Sequence, residues 1–378
     1  MGSRWRREAR RSRPSPGPKE GPGGSHRAPT RYAGAVRLGA LTGGGDCPGL
    51  NAAIRAIVRG SVARGHEVVG ILEGWRGLVA GDTIPLDRRA VAGILPRGGT
   101  ILGTSSYDCF REDGVEAVLE TTRRLGLDGV VAIGGEGTLG IGHRLYVEHG
   151  YPVVGVPKTI DNDLAGTDVT IGFDTAVHVC TEALDRLHTT AESHNRVMVV
   201  EVMGRHTGWI AAASGLAGGA DVILVPEVPT SIEDACDHLR ARHAGGKDFS
   251  IVVVAEGYQV TRRSGEQEDP VVQDVDAYGY ARLGGIGRVV ADEITRATGF
   301  ETRVTVLGHV QRGGTPTARD RFLATRLGLR AAELAATGAW GRMAAVKGND
   351  IGDVSLEEAT GTRRAVPAGW IDAGRIVA

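Results

Sequence analysis

Two glycine-rich turns have the composition of phosphate-binding loops. The first spans residues 42–49 with the sequence TGGGDCPG, and the second spans residues 134–138 with the sequence GGEGT. Each follows an apolar run and precedes a helical pattern, so backbone amides at a helix N-terminus can face a phosphate without intervening Cβ atoms. Neither matches the dinucleotide fingerprint or the lysine-containing Walker A pattern. Each turn taken alone is equally compatible with a purely structural role.

Glu136 places a carboxylate inside the second of these turns. A bare carboxylate there would repel a phosphate group. A bound Mg²⁺ would remove the conflict, because it bridges carboxylate and phosphate oxygens. We therefore predict Glu136 as a metal ligand.

Two further carboxylates, Asp161 and Asp163, lie in the segment PKTIDND at residues 157–163. In an extended segment, side chains two residues apart point the same way. One could accept a proton from a substrate hydroxyl while the other orients a metal or a backbone group. The alternative is an Asx turn leading into the next loop. The catalytic interpretation is favoured because three polar turns leave strand ends in one half of the chain, where open α/β sheets bind ligands.

Four arginines flank two apolar runs that resemble buried strands. Arg205 and Arg312 follow the runs, and Arg196 and Arg303 begin them. Because arginine makes bidentate contacts with phosphate, we expect an anion clamp. The alternative is that these basic residues are simply solvated.

Short β-branched runs alternate with helical patterns from residue 35 onward, which is typical of parallel sheets covered by helices. The predicted strands are residues 36–41, 68–72, 130–133, 153–156, 197–202, 222–225, 251–255 and 304–307. Eight strands exceed one compact sheet of this type, so we expect two sheets. Apolar residues at helical spacing predict a helix over residues 50–62, and Ser231 predicts a helix cap. The polar stretch 261–282 is interpreted as a surface insertion.

Composition limits the classes of protein that remain. The chain has 378 residues, which predicts two domains, and its four widely spaced cysteines favour reduced thiols in the cytoplasm. No apolar run approaches the length of a membrane span. Residues 1–34 carry nine Lys or Arg and two Glu among many Pro and Gly, and we interpret them as a disordered basic tail rather than a nucleic-acid-binding arm. We predict no nucleic-acid partner.

Five motifs in consistent order resemble the ATP-dependent 6-phosphofructokinase family, in its mixed-substrate A-type subgroup. They are GGDxPGxNA at residues 44–52, GGEGT at 134–138, TIDND at 159–163, VEVMGR at 200–205, and GHVQRGG at 308–314. The resemblance covers residue 35 to the C-terminal region. It implies an enzyme of glycolysis, a cytoplasmic Mg²⁺-dependent kinase that transfers the γ-phosphoryl group of ATP to the 1-hydroxyl of fructose 6-phosphate.

The resemblance implies a role for each matching residue. Asp161 resembles the general base, Arg205 the cation that stabilises the transferring phosphoryl group, and Thr159 and Asp163 the residues that orient that group and its Mg²⁺. Glu136 stands where the family has a metal-binding aspartate. The implied nucleotide-binding residues are Gly45, Ser106, Tyr107, Arg111, Gly135, Glu136, Gly137 and Thr138. The implied sugar-phosphate-binding residues are Thr159, Asp161, Arg196, Met203, Gly204, Arg205, Glu256, Arg303, His309 and Arg312.

The resemblance also implies an architecture. We expect two Rossmann-like three-layer α/β domains with mainly parallel sheets and an active site in the cleft between them. The nucleotide-binding domain would comprise residues 35–172 plus 311–361, and the sugar-phosphate-binding domain residues 173–310 plus 362–378. In the family, the residues matching Arg196 and Arg303 reach a neighbouring subunit's site, which implies a homo-oligomer, a tetramer or a dimer. Allosteric control stays open, because the effector pocket of the family is only partly recognisable.

Two positions bear on the phosphoryl donor. Members that use pyrophosphate resemble this chain except for an aspartate where Gly137 stands, and that aspartate would repel the α-phosphate of ATP. Lys158, by contrast, is similar to the pyrophosphate users. We give Gly137 more weight, because the steric and charge exclusion of ATP by an aspartate at position 137 would determine the donor more firmly than the added cation of Lys158. Pyrophosphate, another ketose phosphate such as sedoheptulose 7-phosphate, and a non-catalytic sensor of nucleotide and sugar phosphate remain as alternatives.

Ser106 departs from the family, which usually has an arginine there that bridges the donor and acceptor phosphates. Loss of such a cation slows phosphoryl transfer by orders of magnitude, so we expect a working kinase that is slow or has altered donor preference. Changing Ser106→Arg should then alter turnover or donor preference by about tenfold or more in a steady-state assay. Unchanged values would show that the reasoning about Ser106 is wrong.

Overall fold

A computed structural model describes residues 34–268, 271–275 and 281–377. The predicted basic tail, residues 1–34, lies outside the described residues except for its last residue. The thirteen strands of the described part are β1 (Arg37–Thr42), β2 (Glu67–Ile71), β3 (Thr83–Leu86), β4 (Gly129–Gly134), β5 (Val153–Pro157), β6 (Val197–Val202), β7 (Val222–Leu224), β8 (Ser250–Ala255), β9 (Val272–Val275), β10 (Ala281–Leu283), β11 (Thr302–Val306), β12 (Arg342–Lys347) and β13 (Asp350–Ser355).

Helices cover the faces of the sheets. In the same part of the chain they are α1 (Leu50–Val62), α2 (Gly74–Ala80), α3 (Val115–Arg124), α4 (Glu136–His149), α5 (Phe173–His194), α6 (Trp209–Ala217), α7 (Ile232–Ala244), α8 (Ile286–Thr298), α9 (Ala318–Ala336), α10 (Leu356–Gly361) and α11 (Ala368–Val377), with a 3₁₀ helix at Gly308–Arg312. No helix in these described segments is long and apolar enough to cross a membrane.

Two separate sheets form, as the sequence predicted. The first has the order β13-β12-β5-β4-β1-β2-β3 and is parallel except for its two edge strands, β3 and β13. The second has the order β11-β6-β8-β7 and is parallel throughout. Strands β9 and β10 form a short antiparallel ribbon inside the predicted surface insertion. The α/β class and the mainly parallel sheets are therefore confirmed.

All eight predicted strands are present, and α1 has the predicted bounds. The central strands β4, β5, β6 and β8 are buried along their whole length, which explains their continuous apolar sequences. The predicted cap at Ser231 is also confirmed, because its hydroxyl accepts a hydrogen bond from the amide of Asp234 at 3.0 Å. The strands that the sequence did not predict, including β3, β12 and β13, lie mainly at sheet edges.

The strands divide between the sheets in the same order as the two predicted domains: β1–β5, β12 and β13 form the first sheet, and β6–β8 and β11 the second. The described residues, 34–268, 271–275 and 281–377, nevertheless belong to one compact unit. The predicted domain boundaries therefore stay a prediction.

A buried carboxylate joins α9, which packs on the first sheet, to α5, which packs on the second sheet. Asp320, at the start of α9, accepts hydrogen bonds from the amides of Gly172 at 3.0 Å and Thr175 at 2.8 Å, which lie at the start of α5. The side chain is fully buried, and burial raises its pKa to about 6. Helix α9 also packs along α1. The hydrogen bonds of Asp320 fix the start of α5, whose C-terminal end leads into the second sheet.

Candidate active site

A cavity of about 690 Å³ lies where the carboxyl ends of the two sheets face each other. Turns after β1, β4 and β5 line one side, and turns after β6, β8 and β11 line the other. The cavity brings together most of the predicted site residues: Gly45, Ser106, Gly135, Glu136, Gly137, Thr138, Thr159, Asp161, Asp163, Met203, Arg205, Glu256, His309 and Arg312. Carboxyl ends of parallel strands are the usual ligand-binding edge of such sheets.

The first glycine-rich turn packs tightly against its neighbours. A Cβ atom on Gly43 would lie 2.5 Å from the hydroxyl of Thr138, and one on Gly45 would collide with the guanidinium of Arg312. Arg312 also donates a hydrogen bond to the carbonyl of Asp46 at 3.3 Å. Only glycine permits this approach, which brings an arginine from the 3₁₀ helix onto a turn of the first sheet.

The second turn opens α4, with Gly135 as the cap and Glu136 in the first helical turn. The hydroxyl of Thr138 is buried and makes no hydrogen bond. An unsatisfied buried hydroxyl is costly, so this atom is suited to a phosphate oxygen or another ligand group. The turn therefore keeps a polar atom and a helix N-terminus available for an anion.

The Glu136 turn also fits a magnesium ion. Glu136, Asp161 and Asp163 line the same cavity and offer the oxygen ligands that Mg²⁺ prefers. Within residues 34–268, 271–275 and 281–377, no three acidic, cysteine or histidine side chains converge into a preformed metal cage. Magnesium usually binds through one or two carboxylates together with substrate phosphates. Glu136 would thus hold the ion, with a phosphate supplying the remaining ligands.

Lys158, which the sequence analysis considered only for the choice of donor, also lines the cavity. It follows β5, is 3% exposed, and its ammonium donates a hydrogen bond to the carbonyl of Gly45. Burial lowers its pKa to about 8. A basic residue directly after an apolar strand was the available signal, and the structure places this cation beneath the first phosphate turn.

The segment that carries the two aspartates is a turn, not the extended strand on which the sequence argument relied. Asn162 has a φ of 53°, and its side-chain oxygen accepts a hydrogen bond from the amide of Thr170 at 3.0 Å. Asp161 and Asp163 still line one cavity, and each is 8% exposed. Burial and the neighbouring Asp161 carboxylate raise the pKa of Asp163 well above its usual range.

Thr159 orients Asp161. The Thr159 hydroxyl lies 3.2 Å from the Asp161 carboxylate, to which it donates, and it accepts a hydrogen bond from the Asp161 amide at 3.1 Å. On the opposite wall, Thr207 donates to the Asp161 carbonyl at 3.2 Å. Both sheets therefore hold the candidate base in place.

Glu256 holds the backbone at Arg205. Its carboxylate accepts hydrogen bonds from the amides of Gly204 at 3.3 Å and Arg205 at 2.9 Å. Arg205 has a φ of 55°, a left-handed conformation that is rare outside glycine. Such strain persists only where its surroundings fix it. Burial raises the pKa of Glu256 to about 7.

Glu201 is a cavity-lining residue that sequence reasoning missed. Its buried carboxylate accepts hydrogen bonds from the amides of Gly285 at 3.0 Å and Gly287 at 2.7 Å, at the start of α8. A glutamate inside an otherwise apolar strand was the available signal. It fixes the N-terminus of α8 beside the cavity.

The four-arginine clamp does not form within one chain. Arg196 and Arg303 lie at the amino ends of their strands, whereas Arg205 and Arg312 follow the carboxyl ends. Arg196 pairs with Glu301 at 2.9 Å, and Arg303 pairs with the same carboxylate. Strand direction separates the two pairs, so the single-chain clamp is wrong.

Three other predicted residues do not line the cavity. Gly204 lies just behind its wall, between Met203 and Arg205. Tyr107 and Arg111 lie beyond Ser106, and Arg111 faces Asp108 at 3.6 Å. Their predicted nucleotide contacts therefore stay a prediction.

Comparisons with known proteins show which family this chain resembles. The family model described as phosphofructokinase matches residues 37–335. The chain is 54% identical to "Pyrophosphate--fructose 6-phosphate 1-phosphotransferase" of Streptomyces coelicolor over 90% of this chain and 99% of the relative. It is 52% identical to "ATP-dependent 6-phosphofructokinase 3" of the same organism, over 88% and 97%.

A solved structure gives the same result for the fold. Phosphofructokinase from Pichia pastoris in the T-state superposes with a TM-score of 0.75 at 33% identity, over 91% of this chain and 37% of that chain.

The raised pKa of Glu256 predicts a pH-dependent stability difference. Its folded pKa of about 7 exceeds the ordinary value of 4.5, so the stability that it contributes is complete below about pH 4.5 and is lost as the pH rises through 7. In Glu256→Gln the side chain cannot ionise, and it keeps an oxygen that can accept the hydrogen bonds of the two amides. Relative to wild type, the free energy of unfolding of this variant should rise by about 3 kcal/mol between pH 5 and 8.

Urea unfolding at several pH values measures this difference. The exposed Glu357→Gln variant, at the start of α10, serves as a control whose difference from wild type should stay flat. If the difference in free energy of unfolding between Glu256→Gln and wild type also stayed constant with pH, the raised pKa of Glu256 would be contradicted.

Proposed function

The chain belongs to the phosphofructokinase family, and we propose that it transfers the γ-phosphoryl group of ATP to the 1-hydroxyl of fructose 6-phosphate. The products are fructose 1,6-bisphosphate and ADP. Phosphorylation of fructose 6-phosphate is the activity of the family, and the choice of donor and the roles of individual residues are the parts that we add. The observation that carries the donor assignment is Gly137, which lines the cavity without a side chain.

Asp161 takes the proton from the sugar hydroxyl in this proposal. The carboxylate is buried in the cavity and held by Thr159, which is the geometry that a general base needs. Arg205, fixed in its left-handed conformation by Glu256, faces the same cavity and offsets negative charge on the phosphoryl group during transfer. When bound at Glu136, Mg²⁺ would supply further charge neutralisation on the donor phosphates.

The sugar-phosphate end of the cavity lies on the second sheet. Met203, His309 and Arg312 line it together with Glu256. The amide of Met203 is held by Gln311 at 3.2 Å. A methionine, a carboxylate and two basic side chains suit a sugar whose far end carries a phosphate, and we assign this wall to fructose 6-phosphate.

ATP is favoured as the donor because the cradle leaves room for its α-phosphate. Gly137 lies in the first turn of α4 between Glu136 and Thr138, and all three line the cavity. In the family, the pyrophosphate users have an aspartate at this position. Because glycine stands at this position here, no carboxylate opposes the α-phosphate of ATP.

Pyrophosphate is the second candidate, and Lys158 is the observation that favours it. This buried cation lies under the first phosphate turn, and the relative of Streptomyces coelicolor named for pyrophosphate is 54% identical. An added cation attracts either donor, however, whereas an aspartate at position 137 would exclude ATP. Gly137 therefore carries more weight.

Oligomer formation, a tetramer or a dimer, is also part of the proposal. Strand β11 is the edge strand of the second sheet, and Val306 and Val310 beside it are 57% and 61% exposed. Arg303 lies on the same edge and Arg196 on the neighbouring strand. We propose that these arginines serve the site of a neighbouring subunit, as the resemblance implies. Cytoplasmic location and effector control remain predictions from the sequence.

Gly137→Asp tests the donor assignment. A carboxylate at this position should lower kcat/KM for ATP at least about a hundredfold, because like charges brought together cost several kcal/mol, while activity with pyrophosphate should persist or rise. Gly140→Asp is a matched control, since a Cβ at Gly140 in the same helix meets open space.

The assay crosses ATP and pyrophosphate with fructose 6-phosphate and sedoheptulose 7-phosphate in the presence of Mg²⁺. Activity of the wild type with pyrophosphate alone would overturn the assignment of ATP. No turnover with any pair, together with tight nucleotide binding, would instead indicate a sensor.

Asp161→Asn tests the general base. The variant should lose about 10²- to 10⁴-fold in kcat and still bind fructose 6-phosphate, as measured by calorimetry. Asp168→Asn is the control, because Asp168 follows in the same loop but is bonded to the amide of Gly348 outside the cavity. Full activity of Asp161→Asn would exclude this residue as the base.

A further inference from the structure

Residues 362–366, here called the C-terminal strap, join the layers of the two sheets. The strap follows α10, which packs on α4, and precedes α11, which packs on α6 and β7. It therefore runs from the helices of the first sheet to those of the second. Its path passes beside the turn that carries Asp161 and Asp163.

Hydrogen bonds fix the backbone of the strap at this turn. The amide of Arg364 donates to the carbonyl of Asp163 at 2.8 Å, and Arg363 forms an isolated antiparallel bridge with Leu164. The carbonyl of Arg364 accepts from the indole of Trp209 at 2.8 Å. The guanidinium of Arg364 lies 4.0 Å above the same indole ring. The strap is thus attached to both walls of the site.

The side chain of Arg363 ends at Glu136. Its Nε lies 3.3 Å from a carboxylate oxygen of Glu136, and the two side chains are 40% and 31% exposed. An ion pair this exposed contributes little to stability. The contact uses Nε, so the two terminal nitrogens of the guanidinium stay available to a second acceptor. The fixed backbone and the half-exposed side chain place a cation at the candidate metal ligand.

The donor end of the cavity needs such a cation. Glu136, Asp161 and Asp163 are acidic, and Ser106 across the cavity carries no charge. Lys158 and Arg312 are already bonded to backbone carbonyls of the first turn. A phosphate chain entering beside Glu136 would meet like charge. Arg205 offsets charge on the transferring phosphoryl group in the proposed function, and Arg363, which contacts Glu136 itself, is placed to offset charge beside this carboxylate.

We propose that Arg363 is a donor-binding residue whose guanidinium contacts the terminal phosphates of the donor next to Glu136. The inference rests on the proposed function, because it assumes that Glu136 marks the donor end of the site. It applies to any polyphosphate donor, ATP or pyrophosphate, since both present the same phosphate oxygens. In the absence of donor, the guanidinium pairs with Glu136 instead.

Arg363→Met tests this inference through binding rather than turnover. Calorimetry would measure the Kd of two unreactive probes in the presence of Mg²⁺, the nucleotide AMP-PNP and methylenediphosphonate, and the Kd of fructose 6-phosphate. Hydrogen bonds to charged groups contribute about 1.5–3 kcal/mol, so the donor probe should bind about tenfold to a hundredfold more weakly. Binding of fructose 6-phosphate should not change, and Arg363→Lys should restore part of the loss.

Arg186→Met is the matched control. Arg186 pairs with Glu182 at 2.7 Å on the exposed face of α5, and neither residue lines the cavity, whereas Glu136, the partner of Arg363, does line it. This variant should bind both probes like the wild type. Thermal unfolding midpoints within about 2 °C of wild type, as expected for an exposed ion pair, would show that both variants are folded.

The outcomes separate the two proposals. Unchanged or tighter binding of the donor probe to Arg363→Met would overturn the role of Arg363, because a residue that only neutralises Glu136 would compete with the metal. A wild type that binds methylenediphosphonate but not AMP-PNP would overturn ATP as donor, and the effect of Arg363→Met on the diphosphonate would still decide the inference. A wild type that binds neither probe would overturn both.

Discussion

In the proposed function, repulsion between the carboxylates of the cavity and the phosphate groups of the substrates is the constraint around which this site is organised. Glu136, Asp161, Asp163 and Glu256 all face one cavity, and the pKa values of Asp163 and Glu256 are raised by burial. In the proposed function, acidic side chains are nevertheless needed there, for proton transfer and for holding a metal. The structure offsets their charge with buried or fixed cations, with helix N-termini and with glycines that let backbone groups approach closely.

The same constraint explains why the site lies between two sheets. A single sheet edge could not place enough cations around four carboxylates, and the two sheets contribute from opposite sides. Arg312 reaches from the 3₁₀ helix onto the first glycine-rich turn, and the C-terminal strap places Arg363 at Glu136. Thr207 on the second side donates to the backbone of Asp161 on the first. Because of these contacts, the relative position of the two walls determines how the charged groups of the site are arranged.

Local sequence was sufficient to predict the central strands, α1 and the cavity-lining turns, because apolar strands followed by polar turns have a strong local pattern. It could not predict β12, whose alanine-rich sequence favours a helix as readily as a strand. It also wrongly grouped Arg196 and Arg303 with Arg205 and Arg312, since position relative to a strand end determines which edge a side chain reaches. The contact between Arg363 and Glu136 joins residues 227 positions apart, and no local pattern indicates it.

A crystal structure of the wild type with fructose 6-phosphate, AMP-PNP and Mg²⁺ would test the central claim most directly. The account predicts that the 1-hydroxyl of the sugar lies about 2.6–3.2 Å from the Asp161 carboxylate, with the γ-phosphate of the analogue between Arg205 and Glu136. A sugar whose 1-hydroxyl faces away from Asp161, or a nucleotide bound outside the cavity between the two sheets, would contradict it.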